Sequence, residues 1–158
     1  MIQILRADPA SPEIQPIIEA HLAHSWDAAP QTSNHTMGAE DLKDPAIRFW
    51  ALYDGETPLG CGALKTLPDG TAEVKSVHVL ETARGRGLAR KMMDFLAEQA
   101  RFDGISALVL ETGSDLLPEY LAARKLYEAL GYDYVGPIYG YDPDPNSAFM
   151  RLGLDPAR

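Results

Sequence analysis

The stretch from residue 72 to residue 110 constrains this chain more than any other. It opens with Ala72-Glu73-Val74-Lys75-Ser76-Val77-His78-Val79, a strand pattern rich in valine. A short turn leads into Arg84-Gly85-Arg86-Gly87. Leu88, Met92, Phe95, Leu96 and Gln99 then recur at helical spacing and predict a helix over 87–102. The run over 105–110 is almost wholly apolar, as in a strand buried on both faces. Strand, helix and strand in this order require a parallel pair joined by a right-handed crossover.

The rest of the sequence supplies antiparallel elements around that unit. Residues 2–6 read as a first strand, which Pro9 and Pro12 end. Ile14, Ile17, Ile18, Leu22 and Trp26 predict an amphipathic helix over 12–26. Residues 27–44 are polar and turn-rich, with a short helix near 39–42. Strands over 47–53 and 59–67 stop at Asp54-Gly55 and Pro68-Asp69-Gly70, so with 72–79 they form a meander. Pro118 opens a further helix and Gly131 closes it. Strands over 132–135 and 148–152 flank a loop at 136–147 that is rich in Pro, Gly, Asp and Tyr. The order β-α-α-β-β-β-α-β-α-β-β describes one α/β domain over 1–158, a mixed sheet with helices on both faces.

Charge and cysteine usage narrow the function classes. The net charge of −9 argues against nucleic acid as a partner. No stretch has the length or apolarity of a membrane span or a signal peptide, so a cytoplasmic location is expected. The single cysteine, Cys61, permits no disulfide within the chain and reads as a small core residue. His21 and His24 lie at i, i+3, but no cysteine or carboxylate cluster accompanies them, so no metal is expected.

Gly85 and Gly87 stand at the mouth of the helix, where backbone N–H groups and the helix dipole favour an anion. No G-x-x-x-x-G-K-[ST] string exists, so a nucleotide P-loop is excluded. A dinucleotide fingerprint fails as well, because Arg90 fills its third glycine position and three strands precede it.

Arg84, Gly87 and Ala89 match the pattern [RQ]-x-x-G-x-[GA], which resembles the acetyl-coenzyme A signature of the GNAT superfamily of N-acetyltransferases. The preceding strand ends in Val77-His78-Val79, as that family's fourth strand does. Ala123-Arg124-Lys125-Leu126-Tyr127 and Leu130-Gly131-Tyr132 resemble the family's A-x-x-L-Y-x-x-x-G-[FY]. The element order is also that of the family's fold. Residues 45–135 match well, and 1–44 match by element order.

The resemblance implies acetyl-CoA as cosubstrate and direct acetyl transfer to a primary amine of a small molecule or amino acid. It implies that the strand carrying Val77, His78 and Val79 bulges and parts from its parallel neighbour. The opening then takes the pantetheine arm on the backbone of Val77 and Val79. The amides of Arg84, Gly85, Arg86, Gly87, Leu88 and Ala89 would hold the pyrophosphate. Tyr127 is the implied proton donor to the leaving thiolate, and Glu73 the implied base. The His78 side chain alternates to the opposite face from Val77 and Val79, where a structural role is expected. Trp26, Tyr139 and Tyr141 could line an acceptor pocket or pack structurally. Two other readings stay open: a non-catalytic CoA-binding regulatory module, and acetylation of a protein or peptide amine. A homodimer, common in the family, is compatible with both.

Overall fold

The computed structural model describes residues 1–28, 38 and 41–155, with side chains excepted at 24–28. Seven strands, β1 (Ile2–Arg6), β2 (Ile47–Asp54), β3 (Thr57–Thr66), β4 (Ala72–Val79), β5 (Ala107–Gly113), β6 (Asp133–Val135) and β7 (Ser147–Gly153), form one sheet in the order β1-β2-β3-β4-β5-β7-β6. β4 and β5 pair in parallel, and the other neighbours pair antiparallel. Three helices join them: α1 (Gln15–Ala28), α2 (Leu88–Phe102) and α3 (Leu121–Ala129). This is the mixed α/β sheet expected from the element order.

Alternation along the strands builds a layer on each face. Trp50, Leu52, Leu64, Leu108, Leu110 and Met150 pack with Met92, Met93 and Leu96 of α2. Phe49, Ala51, Cys61 and Ala63 pack with Ile14, Ile17 and Ile18 of α1. Each of these larger side chains contributes about 1.5–3 kcal/mol by leaving water. Gly62 lets α2 sit close, because a Cβ there would lie 2.8 Å from Met92 Cγ.

Several boundaries differ from the sequence reading. The first helix begins at Gln15 rather than at 12, because the Ile14 and Gln15 amides donate to the Ser11 carbonyl and close a turn first. Pro118 opens a 3-10 turn over Pro118–Tyr120, and α3 follows it. β5 runs to Gly113 instead of ending at 110, since Glu111, Thr112 and Gly113 pair with Phe149, Ala148 and Ser147. Tyr132 is not in β6, because its amide donates to the Tyr127 carbonyl in the helix cap. The short helix expected near 39–42 is a 3-10 turn over Asp41–Lys43. Its expected residues 39–40, like the His24 and Trp26 side chains and residues 29–37, lie outside the described residues.

Candidate active site

The site begins as an irregularity in β4. Cys61 stands opposite His78 and Ala63 opposite Lys75, so Ser76 and Val77 together face Gly62 alone. This is a β-bulge, and Ser76 takes φ +56°, a left-handed conformation costly for a residue with a side chain. Behind it, Cys61 Sγ donates to the Ser76 carbonyl at 3.0 Å. Buried there, the Cys61 thiol is pushed up to about 12, which suits a core residue and not a nucleophile.

The bulge bends β4 away from β5. Their parallel pairing is limited to Ala72 with Leu108 and Glu73 with Val109. β5 pairs with β7 on its other edge along its whole length, from Ala107 to Gly113, so past Glu73 the edge of β4 that faces β5 makes no strand rung. The Leu80 amide donates to the Leu59 carbonyl on β3 at 2.8 Å. Backbone groups of successive strand residues point to alternate sides, so His78 also faces β3 while Val77 and Val79 face the opening. β4 therefore bulges and parts from its parallel neighbour, with the Val77 and Val79 backbones on the parted edge.

The glycine segment follows at the end of that cleft. Gly85 and Gly87 adopt φ +83° and +71°, and a Cβ at either would meet nothing within 4 Å. Backbone conformation, not crowding, is what requires glycine there. Gly87 is the N-cap of α2 and offers no side chain to its first-turn amides. Leu88, Ala89 and Arg90 thus begin a helix with outward donors and a positive dipole end. Arg84 folds back, its Nε donating to the Val79 carbonyl at 3.3 Å. Among the described residues no carboxylate pairs with Arg84, whereas Arg86 donates to Asp54 at 3.0 Å.

Tyr127 lies on the inner side of α3, its ring 5.9 Å from that of Tyr132. Among the described residues its hydroxyl has no hydrogen-bond partner. Burial, then the Glu111 carboxylate and Tyr120, pushes its pKa up to about 12. The hydroxyl therefore stays protonated at neutral pH and is available as a donor. Arg124, one turn earlier and buried, steadies the helix by donating from Nη1 to the Gly113 and Ser114 carbonyls at 2.8 and 2.6 Å.

Glu73 is 3% exposed and is not the solvated carboxylate a strand surface would give. Its Oε2 accepts from Lys75 Nζ at 3.0 Å and from the Tyr141 hydroxyl at 2.6 Å. Lys75 also donates to the Tyr141 oxygen at 3.2 Å. Burial, then the Glu73 charge, raises the Tyr141 pKa. Tyr141 thus reaches the site from the loop at 136–147, while Tyr139 points to solvent. The His78 side chain is not in the cleft. It is buried under α1, its Nδ1 3.3 Å from that of His21.

Two residues beside the site, Glu111 and Ser147, had no role assigned to them from the sequence. Glu111 follows the last β4–β5 rung by two residues on the same face, and Ser147 Oγ donates to its Oε2 at 2.8 Å. The signal was a carboxylate ending an apolar run, but its face depends on the pairing of β5 with β7. Among the described residues no group of His, Cys, Asp and Glu could hold a metal ion. No helix among them is long and apolar enough to cross a membrane.

A mixed sheet parted between its two parallel strands, with an anion-binding helix start at the gap, defines an acyl-CoA N-acyltransferase fold. The chain belongs to the acetyltransferase (GNAT) family, whose model matches residues 13–132. An IAA acetyltransferase of Azospirillum brasilense is 36% identical over 155 residues, covering 97% of this chain and 98% of the relative. A Klebsiella pneumoniae structure described as an acyl-CoA N-acyltransferase superposes with TM-score 0.78 at 27% identity, covering 98% and 99% of the two chains. The yncA structure of Salmonella typhimurium, described as an acetyltransferase and solved with its cofactor acetyl-CoA, gives TM-score 0.70 at 22% identity over 98% and 94%.

Proposed function

We propose that this protein transfers an acetyl group from acetyl-CoA directly to a primary amine of a small molecule or amino acid. The parting of β4 and β5 after two rungs, with the uncapped start of α2 at its end, carries this reading. Strand backbone on an edge without a neighbouring strand suits an amide-bearing arm, and outward helix amides suit a pyrophosphate. The Salmonella neighbour's bound acetyl-CoA and the family of the chain support the same donor.

Acetyl-CoA supplies the acyl group as a thioester. Val77 and Val79 would hold the arm by backbone, with an amide there polarising the carbonyl. Arg84 and the amides from Gly85 to Ala89 would hold the diphosphate. Tyr127 would give its hydroxyl proton to the departing sulfur. Glu73, expected as the base, is buried and has one oxygen occupied by Lys75 and Tyr141. In this proposal Glu73 anchors the wall of the acceptor side.

The test is thiol release from acetyl-CoA across a panel of amines, with calorimetry of CoA binding. No binding at millimolar CoA would sink the reading. Tight binding without release for any amine would favour a regulatory CoA-binding module, and release only with peptide amines would favour a protein acceptor.

A further inference from the structure

Resting on that reading, we infer that Arg124 is a positioning residue for acetyl transfer: it acts through Tyr127, holding α3 on the end of β5 so that the tyrosine hydroxyl is set at the gap. Arg124 and Tyr127 are three residues apart and share one face of α3. The Tyr127 hydroxyl lies in the field of the Glu111 carboxylate, two residues past the last rung shared by β4 and β5. Arg124 grips the same strand two residues further on, at the Gly113 carbonyl.

Little else seats this helix. Among the described residues of α3 only Arg124 is buried, while Leu126 and Tyr127 are half-buried and Leu121 is exposed. Arg124 Nη1 donates to the Gly113, Ser114 and Leu117 carbonyls at 2.8, 2.6 and 3.3 Å. Apolar contacts are non-directional, whereas three carbonyls aimed at one nitrogen fix where the helix lies along β5. Among the described residues no carboxylate pairs with this cation. A buried charge is costly, and an apolar side chain of similar size often stabilises a fold as well. Stability alone therefore does not call for arginine here, but a fixed seat for Tyr127 does.

The clamp reaches beyond α3. Ser114, whose carbonyl Arg124 holds, donates from Oγ to the Pro145 carbonyl at 2.7 Å and from its amide to the Asn146 carbonyl at 2.9 Å. The Tyr120 ring lies against Gly113, where a Cβ would overlap it. The end of β5, the start of α3 and the loop that carries Tyr141 are thus fastened together around Arg124. The step this serves balances without another reactant. The acceptor nitrogen bonds to the carbonyl carbon and loses a proton to solvent. The carbon–sulfur bond breaks, its electron pair takes the Tyr127 proton, and the tyrosinate regains one from solvent.

The experiment is a double-mutant cycle in kcat, using acetyl-CoA and an amine turned over by the wild type. Arg124→Met and Arg124→Lys are each made in the wild type and in Tyr127→Phe. In the wild type, Arg124→Met should lower kcat by about thirtyfold, as a displaced catalytic group does, and Arg124→Lys by about fivefold. In Tyr127→Phe the same changes should lower kcat by less than about twofold, because the group they position is gone. CoA affinity by calorimetry should stay within about threefold throughout, since the start of α2 and the edge of β4 carry the proposed CoA contacts. Arg124→Lys keeps the cation and serves if Arg124→Met does not fold. An unchanged kcat in Arg124→Lys, or the same loss in both backgrounds, overturns the inference and leaves the acetyltransferase reading standing. So does a Tyr127→Phe enzyme at the wild-type rate. A wild type that releases no thiol with any amine overturns both.

Discussion

The Tyr141 hydroxyl donates to Glu73 Oε2 at 2.6 Å, tying the loop before β7 to the last rung shared by β4 and β5. Tyr141→Phe removes one of the two donors to this buried carboxylate and leaves Lys75. A buried acceptor short of a partner costs about 1–3 kcal/mol. Denaturant unfolding should show a loss in that range, with CoA affinity unchanged, because the diphosphate loop lies elsewhere. An unchanged midpoint would mean that Tyr141 does not hold Glu73 in solution.

Arg84 and Arg86 are two residues apart but differently engaged. Arg86 pairs with Asp54, an exposed contact, while Arg84 folds over the loop onto the Val79 carbonyl. Arg84→Ala should weaken CoA binding about tenfold, or about 1.4 kcal/mol. Arg86→Ala should change it by about threefold or less, as exposed pairs contribute little. Calorimetry with CoA at one salt concentration distinguishes them, and equal losses would contradict the assignment.

Tyr127→Phe removes the proposed donor to sulfur and little volume. Steady-state kinetics should show kcat down by about a hundredfold with CoA affinity retained. A phenylalanine variant with full kcat would remove Tyr127 from the reaction.

Tyr132 is buried, and among the described residues its hydroxyl has no hydrogen-bond partner. Tyr132→Phe should therefore raise stability, by about 1 kcal/mol, since an unpaired buried hydroxyl is lost and the ring stays. Thermal unfolding that shows a lower Tm would indicate a partner for that hydroxyl.

Alkali should destabilise the fold through Cys61. Burial raises its thiol from 9.0 to about 12, so the unfolded chain loses this proton first. The stabilisation is fully present below the lower value and declines as pH rises toward the upper one. The slope from this one group is about 1.4 kcal/mol per pH unit. Urea unfolding across the window should show a shallower decline in Cys61→Ala than in wild type.

Much of this molecule was legible residue by residue. The span Ala72–Val79, the glycine segment and the stripe of α2 are local patterns, and local patterns survive folding. Asp54-Gly55 and Pro68-Asp69-Gly70 placed the hairpins for the same reason. The ends of β5 and α1 were less legible, because pairing with Ser147–Phe149 and the Ser11 turn set them, not propensity.

The sequence by itself determined the elements, their order and the helix start where an anion can bind, because turns, periodicity and glycine's freedom act over a few residues. Only the tertiary structure decided which side chains share the gap. The bulge at Ser76 turned the open edge of β4 outward and left His78 under α1. The β5–β7 register brought Glu111 to Ser147, and a loop 68 residues away in sequence brought Tyr141 to Glu73. Those contacts depend on sheet register and on which face a residue occupies, and neither is set by neighbours along the chain.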